Sequence, residues 1–332
     1  MKVVINNKEF RGFDKVGVNQ KYNAIASTFS IVSNRELFDY YLEYPICQIY
    51  DENDKLILTG NMFAPKVKST SQPNDLIYSG YSLPGILEDS SIPIDSYPLQ
   101  FDNLSLLEIT EKLIKPFNIS FNIIGNIFND LNKRYDKVLA DPGTSIKQFI
   151  NDLASQRNIY LSNNELGELI FTRYERNKFL PTEFYEEGQP GLKEANLNIN
   201  SQVMHSEITV IKQANKDNPD GYQTTINNPY VERYRPIVLI SNSGDLTDIN
   251  KAARNALSNE LSNIKFNLKT TRYSRPGTTI ELKAPSLRLN KSTELMVQSI
   301  SFNKTTQDND DYNLVCVLPD VYTNEPVKNI FK

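Results

Sequence analysis

Residues 18–33, VNQKYNAIASTFSIVS, decide how this chain is read. Eight residues of mostly small or polar character separate Val18 from a run in which Phe29 and Ile31 fall on one face and Thr28 and Ser30 on the other. A period of two is that of a half-buried β-strand. The pattern predicts one strand through Val18, a bend over residues 21–27, and a second strand with Phe29 and Ile31 turned inward. A reactive loop at this bend would need a reactive side chain nearby. An assembly surface would leave the rest of the chain chemically quiet.

Outward from this stretch, residues 1–95 carry short strand signals divided by turn chemistry. KVVIN and NNKEFRG read as a hairpin, PICQIYDENDKLILTG (45–60) as strand, charged turn, strand, and DLIYSGYS (75–82) as a further strand. Evenly spaced strands without helical periodicity favour a small barrel or sandwich. SSIPIDSYPL (90–99) has the Ser and Pro punctuation of a linker. Beyond it, NLSLLEITEKLIKPF (103–117) is helical: Leu106, Ile109 and Leu113 share a face, Ser105 and Glu108 have capping-box spacing, and Pro116 stops the run. A second helix at 145–157 pairs Ser145 with Gln148 at its start and buries Ile146, Phe149, Ile150 and Leu153. IYLSNNELGELIFTR (159–173) then reads as a hairpin.

After the Tyr- and Glu-rich connection RYERNKFLPTEFYEEGQPG (173–191), strand signals return at SEITVIKQ and RPIVLIS. In DLTDINKAARNALSNELSNI (245–264), Ile249, Ala253, Leu257, Leu261 and Ile264 recur at helical spacing. Strands resume at FNLKTTRYS, TTIELKA, LMVQSISF and YNLVCVLP, with the acidic loop TTQDNDD before the last of them. DVYTNEPVKNIFK (320–332) reads as an extended tail. Two β-rich regions thus flank an α+β unit.

The chain of 332 residues has ordinary globular composition, 39% hydrophobic and 23% charged. Its net charge of −4 gives no overall attraction to phosphate or to an anionic membrane. The basic clusters KVKS (66–69) and NKRYDK (132–137) are short enough to be solvated faces. MKVVINNKEFRGF lacks the apolar core of a signal peptide, and no stretch approaches the roughly 18 apolar residues of a membrane span. Cys47 and Cys316 lie in apolar strand-like runs and read as small buried hydrophobes.

No motif demands a reaction. His205 is the only histidine, and neither a zinc site nor a triad follows from it. Neither cysteine stands beside a base or a helix start that would favour its thiolate. Glu43, Glu88, Asp89 and Glu186 are the acids weighed for a glycosidase pair, without a reason to place two in one cleft. DENDK (51–55) and DNDDY (308–312) lack the Gly and the distant Glu of an EF-hand and read as hairpin turns. DPGTS (141–145) has no following GK[ST] and reads as a turn into a helix cap. The aromatic and basic interleaving of RYERNKF (173–179) fits a packed connection better than a base-stacking surface. No catalytic, cofactor-binding or metal-binding residue is assigned, and no cofactor is expected.

In their joint order, VVINNKEFRGFDKVGVNQKYNAIASTFSIVS, ICQIYDENDKLILTGNMFAPKV and IYSGYSLPGILEDSS resemble the N-terminal barrel of the Mu-type phage baseplate hub proteins. NLSLLEITEKLIKPFNISF and DPGTSIKQFINDLASQRNIYLSNNELGELIFTR are similar to that family's helix and its PGxS/T helix-hairpin unit, and RYRPIVLIS continues the likeness. Asn118 stands where a Gly is usual and Tyr81 where the family often has Arg.

The resemblance implies a β-rich α+β fold with two tube-type antiparallel β-barrel domains plus smaller α+β domains. The corresponding division is 1–95 for the first barrel, 96–178 for an α+β domain, 179–240 for a linker and the start of the second barrel, 241–291 for a helix-containing insertion, 292–320 for the remaining barrel strands, and 321–332 for a tail. It implies a structural, non-enzymatic tail hub of a tailed bacteriophage, assembled in the host cytoplasm and located in the virion's tail baseplate. Its homotrimer would join a sixfold tail tube protein to a threefold central spike protein, contact other baseplate proteins, and line the channel for tape measure protein and DNA. Specific nucleic-acid binding and a membrane segment are not expected. The alternatives are a tail-associated peptidoglycan hydrolase and the hub of a non-virion contractile injection system.

Overall fold

A computed structural model of the chain describes residues 1–34, 36–37, 42–63, 65–67, 76–175, 183–212, 222–240, 246–305, 311–323 and 327–332. Two compact units emerge. The first joins Met1–Arg173 to Ser299–Tyr312, and the second joins Tyr174–Gln298 to Asn313–Lys332. The class is α+β and rich in antiparallel sheet, as the alternating sequence predicts.

In the first unit, β1 (Lys2–Ile5) and β2 (Lys8–Phe10) form a hairpin. Its turn residues Asn6 and Asn7 have φ of 45° and 64°. Two successive positive φ values match the twist of the strands, and asparagine tolerates them better than most residues. There follow β3 (Lys15–Lys21), β4 (Thr28–Ser33), β5 (Ile46–Tyr50), β6 (Leu56–Met62), β7 (Lys66–Val67) and β8 (Leu76–Ser82). The pairing order is residues 299–305, β3, β4, β8, β6, β5, β1, β2, with β7 added on β8. Val18 lies opposite Phe29, and Val16, Val18, Phe29, Ile31, Tyr78, Ile300 and Phe302 are buried on one face. Among the described residues, the order does not return from β2 to residues 299–305.

The bend between β3 and β4 does more than reverse the chain. Tyr22, Ile25 and Ser27 are buried, and Ile25 packs into the core of the α+β segment that follows the sheet. Asn163 Nδ2 donates to the Ala24 carbonyl at 2.9 Å, and Ser27 Oγ donates to Asn163 Oδ1 at 2.9 Å. The Ser27 amide donates to Ser82 Oγ, which donates in turn to the Ile25 carbonyl. Burying these backbone groups is tolerable because each has a partner. The small, polar composition of the bend is that of a hinge pin between sheet and helices.

That segment contains α1 (Ile86–Asp89), β9 (Gln100–Ser105), α2 (Leu106–Ile114), β10 (Phe121–Ile124), α3 (Phe128–Asn132), β11 (Arg134–Leu139), α4 (Ile146–Ser155), β12 (Tyr160–Asn163) and β13 (Leu169–Thr172). β9 and β11 pair as a ribbon, while β10 runs parallel to β13 and β12 antiparallel to it. The capping box of α2 is formed in both directions: the Glu108 amide donates to Ser105 Oγ at 3.2 Å, and the Ser105 amide to Glu108 Oε2 at 2.7 Å. Ser145 caps α4 by accepting from the Gln148 amide at 3.2 Å. Asn118 has φ of 52°, so it meets the left-handed requirement that glycine usually meets after a helical stop. Residues 90–99 are not a linker. Ile92 and Leu99 are buried in the same core as Leu106, Phe149 and Phe171, and the Ile92 amide donates to the Thr144 carbonyl.

In the second unit the strands are β14 (Glu183–Glu186), β15 (Leu192–Ile199), β16 (Glu207–Lys212), β17 (Tyr222–Asn227) and β18 (Pro236–Ile240), then α5 (Leu246–Leu261), and β19 (Ile264–Thr270), β20 (Thr279–Ala284), β21 (Leu289–Thr305) and β22 (Tyr312–Val317). β15, β19 and β22 neighbour one another in that order, and β14 lies parallel to β20, which pairs with the first part of β21. SEITVIKQ and RPIVLIS, expected in a second barrel, supply β16 and β18 of a separate three-stranded sheet with β17. The reason is its inner face, where Val210 packs with Ile249 and Ala253 of α5. Ile264 opens β19 rather than extending the helix, because Asn263 Nδ2 donates to the Asn259 and Glu260 carbonyls and ends α5. Residues 327–332 turn back onto the chain after β17: Tyr230 Oη donates to the Lys328 carbonyl at 2.8 Å, and its ring meets Phe331 edge-on.

Candidate assembly surfaces

The side chains weighed for chemistry are tied into structure. His205 Nδ1 lies 2.7 Å from Glu260 Oε1, the His205 amide donates to Glu260 Oε2, and buried Asn228 donates to that same oxygen. This cluster holds the approach to β16, the turn after β17 and the end of α5 together. Cys47 and Cys316 are fully buried, and burial pushes both thiols well above their ordinary range, the opposite of an activated nucleophile.

Each of the acids has a partner of its own. Glu43 accepts from Asn6, Glu88 lies 3.6 Å from Lys147, and Asp89 accepts from the Tyr81 hydroxyl at 2.9 Å. Glu186, in the other unit, accepts from Lys283 at 2.7 Å. In the DENDK turn Asp51 Oδ1 accepts from the Asn53 and Lys55 amides, Asp54 pairs with Lys2, and Glu52 with Lys304. DPGTS is a turn with Gly143 at φ +88°, leading into the Ser145 cap. Most of DNDDY and of RYERNKF lies outside the described residues. Among the described residues, no group of three His, Cys, Asp or Glu side chains is placed to hold a metal, and no helix is long and apolar enough to cross a membrane.

What the chain displays instead is sheet faces and strand edges. In the first unit, register aligns two rows on the face away from the core. One runs Ser301, Asn19, Thr28, Tyr81 and the other Asn303, Gly17, Ser30, Ser79. Asn19, Thr28, Ser79 and Asn303 are exposed, and neither row contains a charge. At Gly17 the neighbouring side chains close in: a Cβ would stand 2.6 Å from Asn303 Oδ1 and 2.8 Å from Ser30 Oγ, so both would have to turn aside. At the end of the first row, Tyr81 packs edge-on against Phe63, which meets Tyr44 in the same manner. Its hydroxyl is pushed up, first by burial and then by its bond to Asp89.

In the second unit, the exposed face of β15 and β19 sets Asn196 opposite Asn267 and Glu194 opposite Lys269. The outer face of the three-stranded sheet is more apolar: Val238 and Ile240 of β18 are 59% and 61% exposed, level with Thr209 and Ile211 of β16. Among the described residues, β15 and β18 each end their sheet's pairing order, with one row of backbone groups left to pair. Sequence alternation located Thr28 and Ser30 on an outer face. Asn303, which joins them from the far end of the chain, left no local signal.

The comparisons agree on what such a chain is similar to. Residues 84–173 match the family model described as baseplate hub protein gp44-like, second domain. The fold is similar to that of the 43 kDa tail protein of prophage MuSo2 from Shewanella oneidensis, with TM-score 0.84 and 17% identity over 97% of this chain and 99% of that one. It is similar to the tail protein from Neisseria meningitidis MC58, with TM-score 0.80 and 16% identity over 97% of each chain. An E. coli component of the type VI secretion system, itself described as structurally similar to T4 bacteriophage tail proteins gp27 and gp5, matches with TM-score 0.59 and 11% identity over 96% of this chain and 77% of that one. No curated protein sequence matches the chain.

Proposed function

With residues 84–173 belonging to the gp44-like baseplate hub family, and the chain as a whole sharing the fold of prophage tail proteins, we propose that it is a structural hub of a phage tail baseplate. Three copies form a ring, the two β-rich regions of each copy serve as two barrels, and the six barrels meet a sixfold tube while the other face holds a threefold spike. Such a duplication reconciles two rotational symmetries within one closed cyclic assembly. The domain division that goes with this reading runs from a barrel over 1–95 to a tail over 321–332, with residues 207–240 set apart as the three-stranded sheet and residues 299–305 joined to the first sheet. Tape measure protein and then DNA pass through the ring.

The observation that carries the reading is the hub-domain match at 84–173, set in a chain whose whole length follows the fold of tail proteins. The surfaces support it. Open strand edges at β15 and β18 and the apolar β18 face suit burial between subunits, where interface cores are apolar and depleted in charge. The individually paired acids argue for a structural role over a hydrolytic one. Native mass measurement of the purified chain at micromolar concentration, alone and with tube and spike proteins, tests this. A trimer that binds both is expected, and a monomer that binds neither overturns it. Zymography that shows clearing lost on Glu88→Gln or Glu186→Gln would establish the hydrolase instead.

A further inference from the structure

Resting on the hub reading, we infer that residues 327–332 act as a strap that sets the turn between β17 and β18, and that assembly through the exposed face of β18 depends on the strap being docked. The turn is hung at both ends on one residue. The Ser206 carbonyl accepts from the Asn228 amide, its hydroxyl accepts from the Arg235 amide, and its own amide donates to the Arg235 carbonyl. The Arg235 guanidinium donates to the Ser201 and Gln202 carbonyls, and β18 begins at the next residue, Pro236. Buried Asn228 is fixed in turn by its bond to Glu260 near the end of α5.

The strap takes hold of the span between those ends. Tyr230 Oη donates to the Lys328 carbonyl and accepts from the Ile330 amide at 3.4 Å, so one hydroxyl grips two strap residues in opposite senses. Asn329 Nδ2 donates to the Pro229 carbonyl at 3.0 Å, while its Oδ1 accepts from the Phe331 amide and braces the strap itself. The Phe331 ring meets the Tyr230 ring, and Lys332 pairs with Glu232 at 3.1 Å. The Tyr230 amide donates to Asn228 Oδ1, which carries the grip to the buried end of the turn. None of residues 327–332 is buried, whereas Val321, Tyr322 and Thr323 just upstream are. An exposed ion pair and half-exposed hydrogen bonds make a weak hold, one that opens locally without unfolding the unit. The leverage of the strap comes from its position, since Pro229, Tyr230 and Glu232 lead directly into β18, where Val238 and Ile240 face solvent.

Hydrogen exchange on the full chain, read beside native mass at stepped concentration, tests this. Tyr230→Phe keeps the ring and removes the hydroxyl, and deletion of residues 327–332 removes the strap. Both should raise amide exchange across residues 229–240 by about fivefold or more, leave β15 and β19 of the same unit unchanged, and weaken self-association several-fold. Lys332→Ala, which loses only the exposed pair, should change exchange by less than about twofold. Unaltered exchange across 229–240 in the first two variants overturns the inference, as does raised exchange with self-association unaltered. Where the deletion raises exchange in β15 and β19 as well, Tyr230→Phe alone decides. An unsubstituted chain that stays monomeric overturns the hub reading instead, and exchange then still decides whether the strap holds the turn.

Discussion

Residues 84–173 and the layer of α5 on β16–β18 are both helices laid on small sheets, and they differ in how far each encloses itself. In the first, α2 and α4 cover a continuous core from Leu87 and Phe101 through Leu113 and Phe149 to Phe171. In the second, the buried cluster is Val210, Ile249 and Ala253, and the sheet's far side leaves Val238 and Ile240 in solvent. The first core satisfies itself within one chain. The second is the smaller cluster among the described residues, and the paired Val238 and Ile240 on its outer face suit burial in an interface.

The largest test of that contrast is Phe171→Ala, expected to cost about 3–5 kcal/mol in urea unfolding, against about 2 kcal/mol for Ile249→Ala in a cluster with more room to relax. Equal losses would erase the distinction. Next comes Arg157→Ala. Its guanidinium donates to the Asp130, Leu131 and Lys133 carbonyls and stacks 3.8 Å from the Tyr135 ring centroid. Loss of about 1.5–3 kcal/mol, as for hydrogen bonds from a charged group, is expected by the same measurement.

Ser105→Ala removes the cap of α2 and should cost about 1 kcal/mol. It also sharpens a pH effect. The Ser105 backbone amide, with smaller help from the Ser105 hydroxyl and Arg134, holds the Glu108 carboxyl below the usual carboxylate range. A group depressed on folding contributes stability above its unfolded pKa of about 4.3 and loses it as pH falls through the lower folded value. Glu108→Gln should therefore flatten the acid limb of stability in that window, read by melting at stepped pH. The smallest effect on the isolated chain belongs to Val238→Ser with Ile240→Ser, within about 0.5 kcal/mol each. Those two substitutions should nevertheless weaken assembly, seen as a lower mass at equal concentration.

The same contrast explains what was legible in the sequence. Ser105–Glu108, Ser145 with its helix, and the alternation through Phe29 and Ile31 are local signals, set by neighbours three or two residues away. The apolar stripe of α5 was local too. The β9–β11 ribbon was missed because charged, weakly alternating strands such as RYDKVL carry little hydrophobic period. Residues 90–99 looked like a linker by their Ser and Pro content, yet Ile92 and Leu99 commit them to the core. Asn118 adopts the left-handed backbone that suits a glycine after a helical stop. At the outer face, Thr28 and Ser30 were readable from alternation, whereas their alignment with Ser79 and Asn303 depends on register between distant strands.

The partner of β3 on one side is residues 299–305, which lie nearly three hundred positions downstream. On the ribosome, the N-terminal sheet therefore emerges with one edge unfilled and stays so until residues 299–305 have been made. An exposed edge held open for that long invites pairing with other nascent chains, and non-local closure is slow in its own right. Translation pauses just before the codons for residues 299–305 should lower the soluble yield more than pauses within the codons for the first ten residues. Truncation before residue 299 should yield aggregates rather than a smaller folded piece.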